Sequence, residues 1–196
     1  SCAIAYDSRI KSDVFAKEAA KVLAANGITV HIYKELMPTP MLSWAVRYLK
    51  CDAGIVVTAS HNPAKYNGYK AYGADGCQLA NEMADAVLDK IKSVNEFDDV
   101  KVADFNKALN DGMISYIGND VIEAYYKNVL KQSINRDAVE NSDVKITYTP
   151  LNGSGNKPVR ELLKRIGVKN IDIVSEQENP DGNFTTCPYP NPEIKE

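Results

Sequence analysis

The sequence predicts an α/β fold: a three-layer αβα domain with a mixed, mainly parallel sheet, followed by an incomplete second αβ domain of similar type. Three observations carry this. Short apolar runs alternate with helical patterns through about the first 95 residues, as crossover-connected strands do. The run "AGIVV" at 53 to 57 lacks polar alternation, which places it inside the sheet with both faces covered. From residue 144 a new strand, loop, helix and strand begin, and about 55 residues with two strands are too few to enclose a core. The expected division is 1–140 and 141–196.

The elements follow in order. "CAIAY" (2 to 6) is the first strand. A helix from about Ser12 to Asn26 has Ser12 or Asp13 as cap, Phe15, Ala19, Val22 and Leu23 on its inner face, and Gly27 as its stop. "ITVHIY" (28 to 33) is a second strand, in which His31 reads as a structural residue. Thr39 caps the next helix, Pro40 takes its first position, and Leu42, Ala45, Val46 and Leu49 form its apolar face. After 53 to 57, "GYKAY" and "CQL" flank a hairpin turn at 73 to 76. A helix over 81 to 94 points Met83, Val87, Ile91 and Val94 inward, residues 95 to 112 connect with little regular structure, and a helix near 119 to 132 closes the unit. In the second unit, strands at 144 to 149 and 171 to 174 enclose a glycine-containing turn (150 to 158) and a helix (159 to 166). The turn "NGSG" matches neither phosphate-loop pattern, so it reads as a strand-to-helix connection.

Composition narrows the partners. With 26 acidic and 23 basic residues, a net charge of -3 and no basic block, nucleic acid is not an expected partner. Cys2, Cys51, Cys77 and Cys187 have no CxxC spacing and read as reduced thiols. No stretch has the apolar length of a membrane span and the start of the chain lacks a signal-peptide pattern, so the expectation is a cytoplasmic protein without a membrane partner.

The chemistry concentrates in "TASHNPAKYNG" (58 to 68), which follows the buried strand. Ligands of open α/β sheets bind outside the carboxyl ends of strands, where this loop lies. Ser60 needs help to act as a nucleophile, and His61, its neighbour in sequence, is not thereby its base, since hydrolase pairs are assembled from distant positions. The loop also fails the G-x-S-x-G elbow. A phosphate on Ser60 would bring about -1.5 to -2 of charge. His61, Asn62, Lys65 and Lys70 offer donors, Lys70 reaching back by way of the Asn67-Gly68 turn. Arg9, after the first strand, would lie at the same edge and could hold a phosphate with its guanidinium. A serine hydrolase and a non-catalytic sugar-phosphate-binding or assembly module are the rival readings.

"TASHNPAKYNGYKAYGADG" resembles the active-site loop of the α-D-phosphohexomutases, and "DSR", "PTP", "TPLNGSGNKPVRELL" and "PDGNFTTCPYPNPE" resemble further family segments in the same order. The bacterial and phosphoglucomutase-2-like branch is the most similar. The resemblance implies an isomerase that interconverts hexose 1-phosphate and 6-phosphate, foremost α-D-glucose phosphates, through a bisphosphorylated sugar, with phosphomannomutase or phosphopentomutase as alternatives. It implies that Ser60 carries the phosphoryl group and binds Mg2+ through its phosphate, that His61 and Lys70 assist proton transfer and charge stabilisation, with Arg9 as a further site residue, and that glucose 1,6-bisphosphate is intermediate and activator. The family's earlier glycine- and arginine-containing loop, its D-G-D-x-D-R metal loop and its later sugar-recognition loops do not occur in these 196 residues, and Asn152 stands where many relatives have histidine. The remaining domains of a parent protein are therefore expected partners, and the chain alone is expected to be inactive or nearly so.

Overall fold

The computed structural model describes residues 1 to 191 and Glu193; Pro192, part of the last family-like segment, lies outside the described residues. β1 (Cys2–Tyr6) is buried at every position, as its unbroken small and apolar run requires. α1 (Ser12–Ala25) leads to β2 (Val30–Ile32), and α2 (Thr39–Tyr48) leads to β3 (Ala53–Val57). β4 (Tyr69–Gly73) turns back beside β3, and β5 (Ile114–Tyr116) completes a five-stranded sheet in the order β4-β3-β1-β2-β5. All pairings are parallel except that of β3 with β4.

The strand order reverses direction at β1. The chain moves out to β2, then crosses back over β1 to β3, which puts α1 and α2 on opposite faces. Two cores result. One packs Ala3, Ala5, Val56 and Tyr72 against Met41, Leu42, Ala45 and Val46 of α2 and Val121 of α5 (Asn119–Leu130). The other packs Ile4, Ile55 and Val57 against Ala16, Ala20 and Ala24 of α1 and Ala108 of α4 (Phe105–Asn110).

Several expectations need correction. The buried stripe of α1 is Ser12, Ala16, Ala20 and Ala24, one small residue per turn, while Phe15 is 46% exposed. Small side chains let the helix backbone lie close to the sheet, a geometry that an apolarity count favouring Phe15 misses. Lys11 takes the N-cap position of α1 with a left-handed φ of 63°, and Ser12 donates to Asp7 instead of capping. α2 starts one residue early, with Pro38 as cap and Thr39 inside the helix. α3 (Asn81–Lys92) buries no residue, and Met83, Val87, Ile91 and the following Val94 are all exposed, so the expected inward face is not part of either core. The connecting stretch holds α4, whose cap Asp104 accepts from the Lys107 amide, and it leads directly into β5. Residues 77 to 79 contribute one bridge, Tyr72 to Gln78, to the expected hairpin. His31 meets Ser115 Oγ at 2.8 Å, a structural contact, and all four cysteines are free.

α6 (Arg136–Glu140) leads to the second unit, where β6 (Lys145–Tyr148) and β7 (Asn170–Ile173) pair in parallel beside α7 (Asn156–Arg165). Both strands stay half-buried to exposed, as two strands without a sheet around them must. α7 is tied to α5 by Arg165, which donates two hydrogen bonds to Glu123 at 2.7 and 2.8 Å while its guanidinium lies 4.6 Å from the Tyr126 ring. Those bonds hold the Glu123 carboxyl below its usual pKa. A second ion pair joins Lys157 to Glu35. Among the described residues no helix is long and apolar enough to cross a membrane.

The approach of α2 to the sheet rests on Gly54. A Cβ there would lie 2.5 Å from Val46 Cγ2 and 3.3 Å from Tyr72 Cβ. Gly54→Ala is therefore expected to lose about 1–3 kcal/mol of stability, as overpacked cores do. Urea denaturation checks this, and an unchanged midpoint would show that the helix can shift without strain.

Candidate active site

The crevice beside the point where strand order reverses lies between the ends of β1 and β3, which are adjacent and in parallel register. From β1 comes the turn Asp7 to Lys11; from β3 comes the loop Thr58 to Gly68. The two are built as one object. Arg9, 3% exposed, sends its guanidinium beneath the loop and donates to four backbone carbonyls: Ser60 at 2.8 Å, Asn62 at 2.6 Å, Pro63 at 3.1 Å and Tyr66 at 2.9 Å. Its remaining nitrogen, Nε, is 3.3 Å from Asp7 Oδ2, an ion contact without a hydrogen bond. Burial draws the Arg9 pKa below the usual guanidinium value, and Asp7 opposes that shift. Both terminal nitrogens of Arg9 are therefore occupied by the loop. The expected phosphate fork is corrected to a buried clamp.

The far end of the loop is fastened separately. Asp7 Oδ1 accepts from the Arg9 amide at 3.0 Å and from Ser12 Oγ at 2.8 Å. Ser12 Oγ in turn accepts from Asn67 Nδ2 at 2.9 Å, and Asn67 Oδ1 accepts from the Gly68 amide at 2.8 Å. At the near end the Ser60 amide donates to Thr58 Oγ1 at 3.0 Å, and the Thr58 amide donates to the Gly68 carbonyl at 3.0 Å. Ser12 and Asn67 act here although their sequence pattern reads as a cap and a turn residue, and Asp7 joins them from the "DSR" segment; the pairing of β1 with β3 brings them together.

Held this way, Ser60 takes a φ of 56° and is exposed. Among the described residues six non-glycine positions have positive φ, and five of them are at this place: Lys11, Ser60, Leu151, Asn152 and Phe184. Each such conformation costs about 1–3 kcal/mol, and they cluster where a surrounding structure imposes them for function. Ser60 opens onto a cleft of about 360 Å³ shared by the two units. Thr58, Ser60, His61, Ser8 and the start of α2 (Pro38, Thr39, Pro40) line one side; Pro150, Leu151, Gly153 to Gly155 and Phe184 line the other.

The remaining expected site residues are placed as follows. His61 Nδ1 is 3.4 Å from Ser60 Oγ, longer than a well-formed hydrogen bond. Lys70 is opposite Val56 in the β3–β4 ladder, on the α2 face of the sheet, and does not line the cleft. Lys65 lies over the Tyr66 ring, 5.0 Å from its centroid. Among the described residues no three or more His, Cys, Asp or Glu side chains gather as a metal site.

Fold and cleft define an α/β protein that presents one backbone-clamped serine at the mouth of its sheet. Residues 1–98 match the phosphoglucomutase/phosphomannomutase alpha/beta/alpha domain I, and residues 123–196 match alpha/beta/alpha domain II. The chain belongs to the phosphoglucomutase/phosphomannomutase family. A Staphylococcus saprophyticus phosphoglucomutase is 40% identical over 193 residues, 98% of this chain and 34% of that protein. The phosphoribomutase of Saccharomyces cerevisiae is 34% identical over 98% of this chain and 33% of its own length. Among solved structures, a Thermus thermophilus protein assigned as a phosphomannomutase superposes with a TM-score of 0.77 at 27% identity, over 94% of this chain and 39% of that one. The chain spans about a third of the length of the curated relatives it matches.

Arg9→Gln removes the charge and most of the donors that four carbonyls share. It is expected to cost about 2–4 kcal/mol and to speed amide exchange across residues 60 to 68 more than in β1 or β3. Equal exchange in that loop for both proteins, measured by mass spectrometry, would contradict the clamp.

Proposed function

We propose that this chain is the phosphoserine-bearing part of a phosphohexomutase, an intramolecular phosphotransferase that interconverts hexose 1-phosphate and 6-phosphate. α-D-glucose phosphates are the proposed substrates. The observation that carries this reading is Ser60: an exposed hydroxyl in a left-handed backbone position, fixed by buried Arg9 and facing a two-unit cleft. The family and the phosphoglucomutase relative support it. The proposed division is residues 1–140 as the serine-bearing domain and 141–196 as the beginning of the next.

In this reading the Oγ–P bond of phosphorylated Ser60 breaks as a hydroxyl oxygen of the sugar monophosphate bonds to that phosphorus, giving the bisphosphorylated sugar. The hydroxyl proton leaves to a base. Ser60 Oγ takes up a proton as it leaves; in the second step Oγ gives up that proton and bonds to the sugar's other phosphorus, whose bond to the sugar oxygen breaks, and that oxygen is protonated. The resemblance gives His61 and Lys70 roles in proton transfer and charge stabilisation; of the two, His61 borders the cleft beside Oγ, and Lys70, on the returning strand, would act from outside it. The first residues of α2 and the N-cap of α7, Gly155, border the cleft, and helix N-termini favour negative charge. The Mg2+ that the resemblance implies would be held here through the phosphate of Ser60, where it would neutralise charge on the transferring group. Transfer of a phosphoryl group depends on positioning and cationic stabilisation, and among the described residues no lysine or arginine lines this cleft. The chain alone is therefore proposed to be close to inactive.

A full-length protein carrying this segment is expected to take label on Ser60 from glucose 1,6-bisphosphate, found by phosphopeptide mass spectrometry, and to turn over glucose 1-phosphate. Ser60→Ala is expected to abolish the label and lower turnover by at least about 10³-fold. Label elsewhere, or sugar phosphate bound with no covalent label at any residue, would remove the mutase reading in favour of another transfer site or a binding module.

A further inference from the structure

We infer that residues 180–187 of the second unit form a positioning strap that locks the Ser60 loop through Phe184, with Asn152 as its anchor. This deepens the reading of Ser60 as the reacting group and rests on it for its significance, although the strap itself is a matter of geometry.

The anchor is complete. Asn152 is 3% exposed, and each of its polar groups is used: its amide donates to Gln177 O at 2.8 Å, its carbonyl accepts from Asp181 N at 3.3 Å, Nδ2 donates to Asn179 O at 2.8 Å, and Oδ1 accepts from Thr186 Oγ1 at 2.8 Å. Its φ of 57° is one that asparagine tolerates better than most residues. One side chain thus fixes both ends of the strap. Between those ends the Asp181 carboxylate accepts from the amides of Asn183 and Thr185, each at 2.9 Å, which forces a tight turn with Phe184 at its tip.

The strap then meets the first unit at two points. Gly182 packs on the turn after β1 so closely that a Cβ would lie 2.7 Å from Ile10 N and 3.0 Å from Ser8 O. Phe184, 5% exposed, covers Arg9 with its ring centroid 5.0 Å from Cζ. A guanidinium donates only in its plane and offers its face to an aromatic ring. The in-plane nitrogens of Arg9 hold the loop carbonyls, and its Cζ lies over the face of the Phe184 ring. Excluding water there strengthens the in-plane bonds that shape the loop. Phe184 is therefore a positioning residue, acting on Ser60 through Arg9. Nothing in the apolar pattern of the tail marks it, because its partner is a charge 175 positions away in the chain.

The test compares Phe184→Leu, which keeps apolar bulk without a ring, with Phe184→Tyr, which keeps the ring. Amide hydrogen exchange is followed by NMR on the unphosphorylated chain. In Phe184→Leu the amides of Ser60, Asn62 and Tyr66 are expected to exchange about tenfold faster while those of Ile4 and Ile55 keep their rates; Phe184→Tyr should match the parent. Unchanged loop exchange in Phe184→Leu, acceleration of the core amides in step with the loop, or a Tyr variant as loose as the Leu variant would each overturn the strap. The measurement needs no sugar and no label. A chain that shows the loosening but whose parent protein never labels Ser60 would lose the mutase reading and keep the strap.

Discussion

The buried charge of Arg9 is the constraint around which the site is arranged. A guanidinium taken out of water must find partners for its donors, and in this fold those partners are main-chain carbonyls of one loop. For four carbonyls to converge on one side chain, the backbone from Ser60 to Tyr66 has to curl around it. That curl is what turns Ser60 into a positive φ and sends its hydroxyl outward. Asp7 answers the charge from behind and, by way of Ser12 and Asn67, fixes where the loop ends. Loop shape and serine presentation are thus the same physical fact.

The second unit contributes a wall more than a fold. Its two strands enclose little, yet its turn 150 to 155 and its tail face the serine across the cleft, and two charged contacts with α5 and the segment before α2 fasten it. The polar groups concentrated along this seam, and the strained φ angles at Leu151, Asn152 and Phe184, contrast with the alanine-rich packing on the other side of the sheet. Rigidity on one side supports precision on the other.

Much of this was readable from the chain. The strands at 2 to 6 and 53 to 57 declare themselves because both faces are covered, which leaves no polar residue to interrupt them. The loop after 57 stands out by its residue types and by its place at a strand end. Other features escaped for identifiable reasons. β5 is three residues long and sits at the sheet edge, too short for any period to register. The inner faces of α1 and α3 are not legible in the sequence because apolarity alone cannot tell a helix that lies close on alanines from one whose apolar residues stay half exposed. Sequence puts Arg9 at the strand end and shows that a charge is near a loop; only the fold shows that the loop's own carbonyls reach it first.

The parallel register of β1 with β3, Cys2 opposite Ala53 through Tyr6 opposite Val57, has a consequence for how the molecule forms. These strands are about 50 residues apart in the chain, so they meet only after a long loop has closed, which is slow in any folding reaction. A slip of one residue would displace Arg9 by about 3.3 Å relative to the loop and turn every side chain of the strand to the opposite face. The curled loop has no intermediate version that accepts such an error. A chain that presents its serine outward has therefore already set β1 and β3 in register.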